Sequence, residues 1–106
     1  MYARRVSMKL KPNNTLEFTQ CLEKDILPIL RKQSGFRDEI TFVAPGGTEA
    51  FGLSLWDTKA NADTYDRAHY AEVTKKLAKV VDGTPRVETY EVANSTFHKI
   101  AAAATV

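Results

Sequence analysis

Residues 2–11, YARRVSMKLK, put Tyr2, Val6, Met8 and Leu10 on one side of an extended chain and Ser7, Lys9 and Lys11 on the other, which predicts a half-buried strand. Pro12 and Asn13 mark its end. Asn14 then stands where a helix N-cap belongs, with Glu17 three positions on able to reach back as in a capping box. Phe18, Leu22, Ile26 and Ile29 follow at helical spacing, so a helix is expected over 15–33. Pro28 lies inside it and lacks the N–H that the helical ladder needs, which predicts a bend before Ser34 and Gly35 close the helix.

From Phe36 the period changes to two. Phe36, Ile40, Phe42 and Ala44 share one face, and Arg37, Glu39, Thr41 and Val43 the other. Pro45, Gly46 and Gly47 supply a turn, and 50–56 returns as the second strand of a hairpin. On that strand Phe51, Leu53 and Leu55 face one way and Gly52, Ser54 and Trp56 the other; the apolar trio, with Ile40 and Phe42, is the set expected beneath the helices.

Asp57 or Thr58 can cap a short helix over 59–66, and a second stripe of Tyr70, Val73, Leu77 and Val80 runs on to Asp82 and Gly83, the expected stop. After Pro85, residues 86–96 are rich in β-branched and aromatic side chains and predict a last strand. The closing AAAATV, 101–106, has no pattern and reads as a tail, with Phe97 and Ile100 placed to extend the strand. The element order, strand, helix, strand, strand, broken helix, strand, is the ferredoxin-like βαββαβ α+β fold: one antiparallel four-stranded sheet with helices on one face, in a single domain over 1–100.

Two helices cover one side of such a sheet. The second side, expected to carry Val43, Thr41, Ser54, Gly52 and Trp56, is semi-apolar with few charges, and the economical way to cover it is a homodimer burying two sheets face to face.

Composition changes this picture little. The chain has 106 residues, and 15 basic against 13 acidic side chains leave a formal charge of +2, which calls for neither nucleic acid nor an anionic membrane as partner. Cys21 is alone, so no intrachain disulfide forms, and no Cys/His spacing suits zinc; a metal-independent, cytoplasmic protein is expected. Arg4 and Arg5 are not followed by a signal peptide's apolar run, and no stretch of about 18 apolar residues occurs, so neither export nor a membrane span is expected.

The segment from Ile26 to Leu77 combines a helix with Pro28 closing in Ser34-Gly35-Phe36, a hairpin, a strand ending in Trp56, a polar turn and an alanine-rich helix start. It resembles the antibiotic biosynthesis monooxygenase (ABM) domains of the dimeric α+β barrel superfamily. The resemblance implies a ferredoxin-like dimer whose facing sheets form a barrel, with a pocket in each subunit between sheet and helices. Members of that family include cofactor-independent oxygenases of quinol-like or polyphenolic molecules, haem-degrading enzymes, and proteins without an assigned reaction.

The haem branch fits poorly. Its enzymes use a histidine of the long second-half helix as iron ligand, with an asparagine in the first strand and a tryptophan in the short helix. Here the first strand has no asparagine, Tyr65 stands where the tryptophan would lie, and the ligand position falls near Lys75. Cofactor-independent oxygenation instead needs an apolar aromatic pocket, a base or acceptor to generate a phenolate or carbanion, and donors for the developing oxyanion. Tyr65 and His69, at i and i+4 on one helix face, are the candidate catalytic pair; Trp56 and Tyr90 are candidate substrate-binding residues, and no cofactor is expected. The same residues equally suit packing, with Trp56 in the dimer seam, Tyr65 in the corner and His69 in water.

Other classes find little support. No nucleophile elbow or phosphate-cradling glycine loop occurs. An RNA-recognition motif shares the element order, but Glu49 to Trp56 matches its diagnostic strand only at Phe51 and Gly52 and in the terminal aromatic, and Ser7 and Lys9 stand where stacking aromatics are wanted. A non-catalytic dimer that binds a small lipophilic molecule needs the same cavity as the oxygenase and stays open beside it.

Overall fold

The computed structural model describes residues 1–98. Its elements run β1 (Tyr2–Leu10), α1 (Thr15–Cys21), a π-helical turn (Leu22–Ile26), α2 (Leu27–Arg31), β2 (Phe36–Val43), β3 (Glu49–Trp56), α3 (Lys59–Leu77) and β4 (Val81–Glu91). The strands form one antiparallel sheet in the order β2-β3-β1-β4, the ferredoxin-like α+β arrangement that the element order predicts. Ile100 and the tail over 101–106 lie outside the described residues.

The first helical segment departs from expectation at both ends. Asn14 accepts the Phe18 N–H through its backbone carbonyl at 2.8 Å, but its side chain caps nothing. With φ −112° and ψ 18° it lacks the extended backbone that aims a cap side chain at the first free N–H groups. Where a bend was expected at Pro28, the helix carries a π turn just ahead of it. Proline cannot donate to the carbonyl four residues back, and a wider helical turn accommodates the missing bond. The segment ends at Arg31, two residues short of 33, with Lys32 and Gln33 N–H groups closing onto the carbonyls of Ile29 and Leu30.

In the second half, α3 is one uninterrupted helix rather than two. No Gly or Pro occurs from 59 to 77 to break it, and Thr58 caps it by accepting the Asn61 N–H at 3.1 Å. Gly83, read from the sequence as the helix stop, instead lies inside β4 at φ 77°. There the β1–β4 register shifts between Ser7 and Lys9, and the bulge takes up Gly83 and Pro85, which has no N–H to give the ladder. β4 therefore starts at Val81 rather than 86 and ends at Glu91 rather than 96.

The largest correction concerns the two faces of the sheet. The pairing sets Tyr2 opposite Trp56, Arg4 opposite Ser54, Val6 opposite Gly52 and Met8 opposite Ala50, and this is the side the helices cover. Phe51, Leu53 and Leu55 point the other way, with Ile40 and Phe42, onto the open face. The reason is volume. Phe18, Leu22, Ile26, Leu30, Val73 and Leu77 fill the layer from the helix side, and the small residues of β3 leave them room. Phe36 is separated from Ile40 and Phe42 by a bulge between Phe36 and Asp38, so it reaches the helix side and meets Trp56 edge-on, centroids 5.5 Å apart. Trp56 and Phe18 are fully buried, each worth about 2–3 kcal/mol of apolar burial.

Candidate ligand site between the sheet and the helices

Polar residues interrupt the apolar layer along one row of the sheet. Glu39 of β2 pairs with Ser54 of β3, which pairs with Arg4 of β1, and all three face the helices. Each has a local reason to be there. Ser54 Oγ accepts the buried Trp56 Nε1–H at 2.9 Å. Glu39 occupies space that Gly52 leaves empty, since a Cβ at Gly52 would lie 2.9 Å from Glu39 Oε2.

Arg4 is 4% exposed, and a guanidinium so placed has to be compensated. Its Nη1 donates to Asp66 Oδ1 at 2.8 Å, and its Cζ lies 5.4 Å from the Tyr65 ring centroid and 4.8 Å from that of Tyr70. Its Nη2 is buried and meets no acceptor among the described residues. The Tyr70 hydroxyl is in the same condition.

Arg4, Glu39, Ser54, Tyr65 and Tyr70 line a cavity of about 50 Å³ whose other walls are apolar side chains such as Met8, Leu22, Ile26 and Leu77. Two cavity residues come from the π turn, so the helical irregularity forms part of the wall. The Thr41 hydroxyl lies 3.0 and 2.8 Å from the two carboxylate oxygens of Glu39 and donates to that carboxylate. Burial raises the Glu39 carboxyl above its ordinary 4.5, against the lowering pull of that hydrogen bond. Burial likewise pushes the Tyr65 phenol up to about 12 and raises that of Tyr70, while Arg4 opposes both shifts.

Of the residues singled out from the sequence, Tyr65 lines the cavity and is 4% exposed. Trp56 lies behind it, stacked on Tyr65 with centroids 5.0 Å apart, and supports the wall without lining it. His69 follows on α3, but its ring stands at the surface with Nδ1 3.8 Å from Glu72 Oε2. Tyr90 is on the opposite face of the sheet, 45% exposed. The structure thus brings Tyr65 and Trp56 together and leaves His69 and Tyr90 away from the cavity.

Arg4, Glu39 and Tyr70 escaped the sequence reading as site residues, although a signal for the first was present. Arg4 has the same parity as Tyr2, Val6, Met8 and Leu10, and a cation in register with a buried face is a buried cation.

The open face carries a wider and shallower groove of about 630 Å³ bordered by Arg5, Phe42, Phe51 and Arg86, with the Arg5 guanidinium 4.4 Å from the Phe51 ring centroid. Its neighbours Ile40 and Phe42 are 36% and 45% exposed. No three His, Cys, Asp or Glu side chains converge as a metal site requires, and no helix is long and apolar enough to cross a membrane, among the described residues.

No protein-family model matches the chain, and no curated protein matches it. Solved structures do match. A monooxygenase, ActVA-Orf6 of Streptomyces coelicolor, in complex with nanaomycin D, superposes with a TM-score of 0.76 at 14% identity over 89% of this chain and 88% of that one. A variant of SnoaB from Streptomyces nogalater, a cofactor-independent oxygenase, gives 0.74 at 8% identity over 90% and 95%. A protein of unknown function from Nitrosomonas europaea gives 0.73 at 17% identity over 90% and 91%. Structures described as putative antibiotic biosynthesis monooxygenases share the fold as well, and at these identities the likeness speaks for the fold alone.

Proposed function

We propose that the cavity between sheet and helices is a small-molecule site and that the chain acts as a cofactor-independent monooxygenase on a small quinol-like or polyphenolic compound, as a homodimer joined through its open sheet faces. The observation that carries the reading is the pair of buried polar groups, Arg4 Nη2 and the Tyr70 hydroxyl, left without partners among the described residues beside a cavity whose remaining lining is apolar apart from Glu39, Ser54 and Tyr65. Buried donors are almost always satisfied within a protein, and unfilled ones beside a cavity are positioned for a ligand.

The chemistry follows from the same groups. Without flavin or metal, the substrate itself must deliver electrons to dioxygen, which it does far more readily as an anion. The site then needs a proton acceptor and a positive or hydrogen-bonding group for the charge that develops. Glu39 supplies a carboxylate, and Arg4 a guanidinium held by Asp66. With its phenol pushed up to about 12, Tyr65 serves at neutral pH as a hydrogen-bond donor. The descriptions of ActVA-Orf6 as a monooxygenase with a bound ligand and of SnoaB as a cofactor-independent oxygenase support the choice.

Dimerisation is supported by the open face, where Phe42, Phe51, Leu53 and Leu55 form a more apolar surface than the sequence led one to expect. Leu53→Glu should shift the column-measured mass from dimer to monomer.

Oxygen uptake by the purified protein over a panel of quinols and polyphenols, with no added flavin or metal, tests the reaction. Protein-dependent uptake that falls in Tyr65→Phe supports it. Ligand binding in the cavity with no uptake across the panel favours a binding role instead.

A further inference from the structure

The open face of the sheet has a raised end and a hollow one. At the raised end a side-chain row runs from Asp38 on β2 through Leu55 and Ala3 to Tyr90 on β4. Residues 92–98 follow β4 and reach the opposite edge of the sheet, where His98 Nε2 lies 3.2 Å from Asp38 Oδ2 and the His98 N–H donates to Ser95 Oγ at 3.2 Å. The segment therefore crosses this end of the face as a strap, and Ala3 is buried although no helix lies on its side. Phe97 on the strap is 83% exposed. The hollow end is the groove of about 630 Å³, where Phe42 and Phe51 stack with centroids 4.8 Å apart.

Between the strap and the far rim, one row carries Ile40, Leu53, Arg5 and Glu88 across the strands, and the next carries Phe42, Phe51, Ser7 and Arg86. When two copies present this face to each other, their two-fold axis lies in the plane between the sheets. For sheets packed with aligned strands it runs either along the strands or across them. Along the strands, each row meets itself with strand order reversed. Glu88 then falls on the partner's Ile40, and strap meets strap, which holds the faces apart. Across the strands, each strand meets itself with row order reversed. Ile40 and Leu53 then fall on the partner's Phe42 and the partner's Phe51, Arg5 meets the hydroxyl of the partner's Ser7, Glu88 meets the partner's Arg86, and the strap lies over the groove. The usual angle of about 30° between packed sheets shifts an edge strand, about 7 Å from the centre, by about 4 Å, which Arg and Glu side chains span.

We propose that two copies pack these faces about a two-fold axis perpendicular to the strands, each Glu88 pairing with the partner's Arg86 and each strap, through Phe97, seating in the partner's groove. This rests on the dimer through open sheet faces proposed above and specifies its orientation. The charge pair fixes register more than it adds affinity, and the apolar area comes from the centre of the face and from Phe97. Glu88 and Arg86 of one chain already approach each other, Oε2 to Nη2, at 3.8 Å, so the dimer gathers two such pairs into alternating clusters of charge.

The test follows the mass of the full chain by light scattering over a dilution series. Arg86→Glu and Glu88→Arg each gather like charges and should weaken the dimer at least about tenfold. An equimolar mixture of the two variants should recover a dimer holding one of each, identified by native mass spectrometry. Within each chain of that mixture the two side chains still carry like charge, so recovery comes only from contact between chains. Phe97→Ala should also weaken the dimer, whereas Leu16→Ala, at an exposed side chain on α1, should not. Single charge variants as tightly dimeric as the wild type, or a mixture no tighter than its components, overturn the orientation, and an unaffected Phe97→Ala overturns the seating of the strap. In each of those cases a wild-type dimer that Leu53→Glu dissociates keeps the sheet-face reading. A wild type that stays monomeric throughout overturns both.

Discussion

Arg4 and Tyr70 meet beneath α3, the guanidinium carbon 4.8 Å from the ring centroid, and each ends in a buried polar atom with no partner among the described residues. The cation lies on the negative face of the ring, a contact that steadies both side chains. Because Nη1 is engaged by Asp66, the guanidinium plane is oriented and Nη2 keeps its hydrogen-bonding capacity for something else.

That arrangement makes Asp66 a support for the site. Asp66→Asn removes the one carboxylate that pairs with Arg4 among the described residues and leaves a buried guanidinium without its ion-pair partner. The Asp66 side chain is 46% exposed, so water takes over part of its role and the cost should be about 1–2 kcal/mol, below that of breaking a fully buried pair. A urea titration of the two proteins measures the difference.

Glu39 should act against stability at neutral pH. Its carboxyl is raised in the folded state by burial, so the folded chain holds this proton more tightly than the unfolded chain does. The contribution is therefore most favourable below the ordinary value of 4.5 and is lost as pH rises through that value to the raised folded one. Glu39→Gln should melt higher than the wild type at pH 7, and the gap should close as the pH falls below 4.5. Thermal melts across that range decide it; a gap that stayed constant would rule out titration of Glu39 as its source.

Tyr65 gives the corresponding effect at alkaline pH. The phenol ionises at 10 in its ordinary state and at about 12 in the fold, so the folded chain again binds the proton more tightly. Stability should hold up to about pH 10 and fall as pH rises from there through 12. Tyr65→Phe keeps the stacking on Trp56 and should flatten this decline; the Tyr70 phenol, also raised, should account for part of what persists. Ultraviolet-monitored alkaline melts read both.

Gly35 should tolerate no side chain. It lies at φ 78°, and a Cβ there would come within 2.3 Å of the Asn61 side chain at the start of α3. Its carbonyl also accepts the Asp57 N–H at 2.8 Å, which ties the end of the first helical segment to the turn after β3. Gly35→Ala combines left-handed strain with a clash and should cost about 2–3 kcal/mol, visible as a lower denaturant midpoint.

The sequence by itself determined the element order and with it the fold. Period two in β1 to β3, period 3.6 in the helices, and the turn chemistry at Pro12, Gly47 and Thr58 are local properties set by sterics and capping, and they survive into the tertiary structure. Tyr65 and Trp56, which the sequence placed on either side of the strand-to-helix turn, stack on one another in the fold.

Which face of the sheet is buried was decided elsewhere. Alternation fixes only that Phe51, Leu53 and Leu55 lie opposite Gly52, Ser54 and Trp56; the side the helices cover depends on which residues leave room for helix side chains, and that is a matter of volumes brought together from distant parts of the chain. The polar row is tertiary for the same reason. Glu39, Ser54 and Arg4 are separated by 15 and 50 residues in the sequence, and only the register of β2, β3 and β1 lines them up under Tyr65 and Tyr70. Glu39 and Ser54 alone look like ordinary surface polar residues, and the parity of Arg4 marks it only as buried; pairing across strands, with α3 closing over them, is what removes their water and turns them into a site.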